Sequence, residues 1–373
     1  MRAHLRHAGL VAIALAAGVT AGRTAPSPSP SPGAARDLSH VTPEERAAYL
    51  RRAIVWQPTS VAAKDLLAGP PGDGAFKFDE SVACDYVAPQ AALSGTTPKF
   101  DCALKPDDVV KVKYGRKNGE VYAEVAATRL FWALGFGADR MYPVQVTCRN
   151  CPIEPWYWST EKRVPEKTFE IASIERRLSG KRIESKEDEG WKWPELDTVD
   201  EKAGGAPRAH RDALKLLMVL IQNSDTKGAN QRILCPPDAV KKDAAGNETC
   251  GRPLLYVQDL GYAFGEATLL DTTKNNLQEW SREPIWKDPA QCVGNLKKSL
   301  QGTFKADPPI SEAGRKFLAD LLVQLSDKQI TDMFTAARVE RFHVHADRNL
   351  PVSEWVGVFK KKRDEIVTAR CPS

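Results

Sequence analysis

Charge of one sign is scarce in this sequence. Lysine and arginine total 53 against 48 aspartates and glutamates, so the 373-residue chain carries only +5. The excess is scattered, which excludes the concentrated basic footprint of a nucleic-acid binder. The one basic run, Lys360, Lys361, Lys362 and Arg363, sits in the helical pattern WVGVFKKKRDEIV and reads as a solvated face. Long hydrophobic runs are also few. None beyond the N-terminus approaches the roughly 20 residues that cross a bilayer as a helix, so no stable membrane anchor is expected. A cysteine after the N-terminal apolar run is missing, which removes the case for a lipid anchor. Internal repeats are absent. So is a second close cysteine pair beside CRNC (148–151), which excludes a zinc ribbon.

What is present starts with an export signature. In MRAHLRHAGLVAIALAAGVTAG two arginines precede about a dozen apolar and small residues, then Val19-Thr20-Ala21 offers a cleavage site. Residues 1–21 are therefore expected to be a signal peptide, and 22–38, containing APSPSPSPG, an extended Pro/Ser-rich linker. The mature chain is expected to be secreted or periplasmic. All eight cysteines follow the signal, and an even count in an exported chain favours disulfides. Local spacing favours Cys84–Cys102, Cys148–Cys151 and Cys235–Cys250, leaving Cys292–Cys371. A redox pair is the other reading of Cys148 and Cys151, although no thioredoxin-like strand and helix frame them.

Folded sequence begins near HVTPEERAAYLRRAIVW, where Thr42 can cap, Pro43 takes the first turn and Glu45 completes a capping box. ESVACDYVA, KFDCAL and DDVVKVKYG read as strands, the last with strict alternation. GEVYAEVAATRLFWALGFG reads as a helix with a glycine-rich stop, and RMYPVQVTC and KTFEIASIE as two further strands. Beyond about residue 179 helical patterns dominate. The division is an N-terminal extension with a strand-rich half over 39–178, followed by a helical half over 179–373.

A set of residues spread along the chain has the chemistry of phosphoryl transfer from a nucleotide. In VVKVKYG, Lys111 and Lys113 share one face of a strand, where either can hold phosphates. Glu120 and Glu124 lie one turn apart on the next helix, so one or both can face that strand. Asp225, Lys227 and Asn230 then form D-x-K-x-x-N directly after the apolar helix LKLLMVLI. Such an aspartate can accept the proton of a substrate hydroxyl, such a lysine can neutralise the moving phosphoryl group, and such an asparagine can bind magnesium. About thirty residues on, the strand-like LLYV leads to Asp259-Leu260-Gly261, a metal-binding arrangement at a strand end. Each piece alone is also an ordinary surface loop or ion pair. Their order and context carry the reading.

At this point the chain resembles an atypical, secreted protein-kinase-like family. YAEVAATRLFWALGFGADRMYPV is similar to the regulatory-helix segment of the secretory-pathway kinases that phosphorylate casein-like proteins and proteoglycan xylose. DLGYAFG is similar to their D-x-G-x-x-F-G motif, and HipA-like and CotH-like bacterial kinases share the same minimal set. The resemblance covers roughly residues 80–270. It implies an α+β, bilobal protein-kinase-like fold, with a small β-rich N-lobe carrying one regulatory helix and a larger α-helical C-lobe.

By position it makes Lys113 or Lys111 the nucleotide-phosphate contact and Glu124 the partner of that lysine. Asp225 becomes the catalytic acid, Asn230 and Asp259 the metal ligands, and LSGTTPK (93–99), with Gly95, the loop over the phosphates. The implied cofactor is ATP with Mg2+ or Mn2+, and the acceptor a hydroxyl of a protein or carbohydrate. Three departures stand out. The phosphate loop has a single glycine, Asn223 and Ser224 occupy the His-Arg positions before the catalytic aspartate, and no A-P-E follows Asp259. Other readings are a nucleotide-binding pseudokinase, an adenylyl transferase on the same fold, or a disulfide-stapled extracellular binding module. EPWYWS (154–159) and GWKWPEL (190–196) read first as packing aromatics and second as an acceptor platform. His343 and His345 lack a third ligand for a metal.

Overall fold

The computed structural model describes residues 36–90, 95, 97–157, 162–265, 275–342 and 350–372. The signal peptide, the linker up to residue 35, positions 93, 94 and 96 of the phosphate loop, Trp158, His343 and His345 lie outside the described residues. The fold is mixed α+β, and residues 36–373 form one compact unit.

Helix α1 (Pro43–Arg51) begins as its sequence dictates. Thr42 Oγ1 accepts from the Glu45 amide, Glu45 accepts from the Thr42 amide, and Pro43 fills the first turn. Five strands follow: β1 (Glu80–Val87), β2 (Lys99–Lys105), β3 (Asp108–Tyr114), β4 (Arg140–Pro152) and β5 (Arg163–Arg176). They close into a barrel in the order β1-β2-β3-β5-β4, with β1 and β4 parallel and the other pairs antiparallel. Its interior is built from alternate strand positions such as Phe100, Val112, Tyr142, Val144 and Ile174.

Helix α2 (Glu120–Leu134) interrupts the strands between β3 and β4. Every residue but Trp132 is buried, as an almost uniformly apolar helix requires. It stops at Gly135, whose left-handed φ of 85° lets its amide reach the Phe131 and Trp132 carbonyls; a Cβ there would stand 2.3 Å from the Gln57 carbonyl oxygen.

Beyond the barrel, α3 (Arg208–Ile221), α4 (Leu277–Arg282), α5 (Glu312–Leu322), α6 (Asp327–Ala336) and α7 (Val352–Thr368) gather around a second, larger core shared with the apolar residues of α2. Apart from LLYV the sequence shows little strand signal here, yet the structure adds β6 (Lys181–Arg182), β7 (Gln231–Cys235), β8 (Val240–Lys242) and β9 (Glu248–Cys250) before the expected β10 (Leu254–Val257). Strands this short leave too few residues for alternation to register. They matter because the sheet β10-β7-β6 carries the chain from the D-x-K-x-x-N loop to Asp259.

The four cysteine pairs favoured by spacing, Cys84–Cys102, Cys148–Cys151, Cys235–Cys250 and Cys292–Cys371, stand at S–S distances of 2.01–2.18 Å. Cys148 and Cys151 are both fully buried, so no exposed thiolate is available for exchange at that pair. Cys235–Cys250 closes a 15-residue loop between β7 and β9, worth about 3 kcal/mol in a chain-entropy account. Four disulfides point to an oxidising, extracellular environment. No helix of the described residues is long and apolar enough to cross a membrane.

The basic run of α7 departs from expectation. Lys362 is buried, its ammonium donating to the Glu283 carbonyl and lying 5.7 Å from the centre of the Trp280 ring. Burial pushes its pKa down to about 8. Only part of the run is a solvated face, because Trp280 and Glu283, some 80 residues away in sequence, cover one side of the helix.

Asp139, in the turn between α2 and β4, is 1 % exposed. Its Oδ1 accepts from the Leu178 amide at 2.7 Å while Oδ2 has no partner. Burial, reinforced by the negative charge of Glu175, pushes its carboxyl up to about 7. The folded state therefore holds a proton that the unfolded chain gives up near pH 4, and this residue costs stability as pH rises from about 4 to about 7. Asp139→Asn is expected to become more stable relative to the parent by roughly 2 kcal/mol between pH 5 and pH 8. Urea unfolding at the two pH values checks this; a pH-independent difference would refute it.

Candidate active site

The site starts from strand alternation. Lys113 on β3 points away from the barrel interior toward α2 and is 2 % exposed. Its Nζ lies 2.7 Å from Glu124 Oε2, 3.3 Å from Glu120 Oε2 and 4.0 Å from Asp259 Oδ1. Both helix carboxylates thus face the strand, one turn apart. Lys111 pairs instead with Glu175, its register partner on β5, at 2.8 Å. The two lysines left open by the sequence are told apart by the pairing of β3 with β5, a register that local sequence does not show.

Burial works against the Lys113 ammonium, but the charges of Asp259, Glu124, Glu120 and Glu175 outweigh it and hold the pKa well above its usual value. Burial pushes Glu124 up to about 8, with Lys113 opposing and Asp259, Glu175 and Glu120 adding to the rise. At Asp259, Lys113, the Gly261 amide, Lys111 and Lys99 overcome burial and hold the carboxyl at about 2. The Asp259 side chain keeps 36 % of its surface open. A side chain at Gly261 would displace these carboxylates, since a Cβ would stand 2.8 Å from Glu120 Cγ and 3.2 Å from Asp259 Oδ1.

The loop after α3 answers why an apolar helix empties into polar residues. Helix α3 packs on α5 and ends where Gln222 adopts φ 53°, its side-chain amide tied to the Val219 and Asn295 carbonyls. Asn223, fully buried, then joins two segments. Its Nδ2 donates to the Asp259 carbonyl at 3.3 Å and its Oδ1 accepts from the Asp225 amide at 3.2 Å. Asn230 donates through Nδ2 to the Asp225 carbonyl at 2.9 Å, and its own carbonyl accepts from the Gln258 and Asp259 amides. Lys227 lies 3.0 Å from Asp225 Oδ2. Partial burial lowers the Lys227 pKa, but the hydrogen bond and charge of Asp225 raise it further.

Asp225, Lys227, Asn230, Asp259, Lys113, Glu124 and Glu120 are therefore one hydrogen-bonded and ion-paired assembly, from residues up to 146 positions apart in sequence. Gly95, with φ 91°, sits above Lys99 at the start of β2, and Thr97 Oγ1 donates to Glu120 Oε2 at 2.7 Å. In sequence Asn223 is only a departure from the motif, and the fold alone shows what it joins; of the two glutamates left open by helical spacing, both reach the Lys113 ammonium.

Among the described residues no group of three or more His, Cys, Asp or Glu side chains gathers as a metal centre. Asn230 and Asp259 are joined through the Asn230 carbonyl and the Asp259 amide, and each carries a side-chain oxygen of the kind a hard divalent ion could take alongside phosphate and water. The Trp191 and Trp193 rings do not form a platform. They meet edge to face at 4.8 Å, and Trp193 stacks on Phe304 at 4.5 Å within the core.

No family model matches the chain, and no curated protein matches it in sequence. Among solved structures it is similar to the proinflammatory kinase CtkA of Helicobacter pylori, at 11% identity and a TM-score of 0.40, covering 76% of this chain and 93% of that one.

Proposed function

We propose that this protein is an exported, ATP- and divalent-metal-dependent phosphotransferase acting on a hydroxyl of a protein or carbohydrate acceptor. The observation that carries the proposal is the side chain of Asn223, which locks Asp225 to Asp259 while Asp259 faces the buried Lys113–Glu124 pair. A surface loop has no reason to bring those groups together, and phosphoryl transfer needs them in that order. The barrel and the helical part would then be the two lobes of a kinase-like fold, with α2 as the regulatory helix.

In this reading Lys113, held by Glu124, grips the nucleotide phosphates. Asp225 accepts the proton of the acceptor hydroxyl as its oxygen bonds to the γ-phosphorus and the bond to the β–γ bridging oxygen breaks, releasing ADP. Lys227, beside Asp225, meets the negative charge of the moving phosphoryl group. Asn230 and Asp259 would hold the divalent ion, which when bound offsets phosphate charge.

Asp259→Ala tests this directly. ATP with Mg2+ or Mn2+ is expected to raise the melting temperature of the parent protein, because a ligand at 100 times its Kd adds about 2.7 kcal/mol. The variant is expected to lose most of that shift, and the parent to show little with ATP or metal alone. A parent protein whose melting temperature ignores ATP with both metals would overturn the reading.

A further inference from the structure

Of the lysines around the site, Lys113, Lys111 and Lys227 are already paired with Glu124, Glu175 and Asp225. Lys99 is different. It has no carboxylate in ion-pair reach among the described residues; a Cβ at Gly95 would stand 2.7 Å from its Nζ, and the Trp156 ring centre lies 5.7 Å away. Lys99 is the register partner of Lys113 across β2 and β3, so both side chains leave the same face of the sheet. Burial lowers its pKa and the charge of Lys113 lowers it further, with the charges of Glu120 and Asp259 only partly opposing them. A half-buried ammonium beside a like charge, with no carboxylate in direct contact, leaves a place that an anion can complete.

We infer, resting on the phosphotransferase reading, that Lys99 is a second phosphate-holding residue, which clasps the polyphosphate chain of a nucleotide beneath the segment at Gly95. With Lys113 already neutralised by its carboxylates, Lys99 supplies a positive charge held in no salt bridge among the described residues, which favours a triphosphate over a nucleoside. It also gives the single-glycine loop a means of holding phosphates: a side chain does what a row of glycine amides does in a P-loop.

The test measures binding of ATP, ADP, inorganic triphosphate and adenosine, each with Mn2+, to the full mature chain and to Lys99→Gln and Lys99→Arg. Lys99→Gln is expected to weaken ATP and triphosphate binding roughly tenfold or more, the size of one charge-assisted contact. Adenosine binding is expected to stay unchanged, and Lys99→Arg to restore most of the loss. The unliganded melting temperature of Lys99→Gln should hold or rise, since a repulsion is relieved, which separates lost contact from lost fold. A parent that binds ATP and a Lys99→Gln variant that binds it equally well would overturn the inference and leave the phosphotransferase reading standing. A parent that binds none of the four ligands would overturn both.

Discussion

Asp225→Ala is expected to lower the rate of phosphoryl transfer by about 10³-fold, within the range for loss of a positioned proton acceptor, with nucleotide affinity within about twofold of the parent's. The separation follows from what each atom does. The Asp225 backbone carbonyl, not its carboxylate, receives Asn230 Nδ2, and its amide meets Asn223 Oδ1; alanine keeps both. Only the carboxylate beside Lys227 is lost. Single-turnover labelling with ATP and Mn2+, alongside equilibrium binding of ATP, measures the two quantities separately. Transfer that persists at the parent's rate would remove Asp225 from the chemistry, and loss of binding equal to the loss of rate would make it a structural residue.

Lys113→Met is expected to cost about 3–5 kcal/mol of stability, the usual result of removing one member of a buried ion pair. Its ammonium is the cation that touches both Glu120 and Glu124, so methionine leaves their charge in a buried site. The stranded carboxyls would then ionise only above their ordinary range. The folded state would bind more protons than the unfolded chain, and the penalty should grow as pH rises from about 5 to 8. Adding Glu124→Gln should recover part of it. Denaturant unfolding of the parent and the two variants at both pH values checks this, and a loss that neither changes with pH nor is eased by Glu124→Gln would mean the pair is not the source.

The sequence places much of this arrangement within reach. Strict alternation in VVKVKYG puts a lysine on the outer face, helical spacing puts Glu120 and Glu124 one turn apart, and the capping box of α1 is readable letter by letter. These are local rules, and local rules survive folding. What the sequence does not show depends on neighbours far along the chain. Lys111 and Lys113 look alike until β5 places Glu175 opposite one of them. Lys362 looks solvated until Trp280 covers it. Asn223 looks like a degraded motif until its amide is seen bridging two loops. Lys99 sits at the end of a loop with one glycine, and only the pairing of β2 with β3 brings it beside Lys113.

The closed barrel has a consequence for how an acceptor can be recognised. A closed barrel offers no free edge to an incoming extended peptide, and the β1–β4 pairing completes this one. On β10, beside Asp259, the outward backbone groups are also taken: the Leu255 amide donates to the Ile54 carbonyl and the Val257 amide to the Gly137 carbonyl. Strand addition, the mode that reads a polypeptide through its main chain, is thus closed along the barrel and along this strand. On the phosphotransferase reading an acceptor would be met there by side chains, an encounter that selects for the shape and chemistry of one residue or sugar rather than for a length of extended backbone.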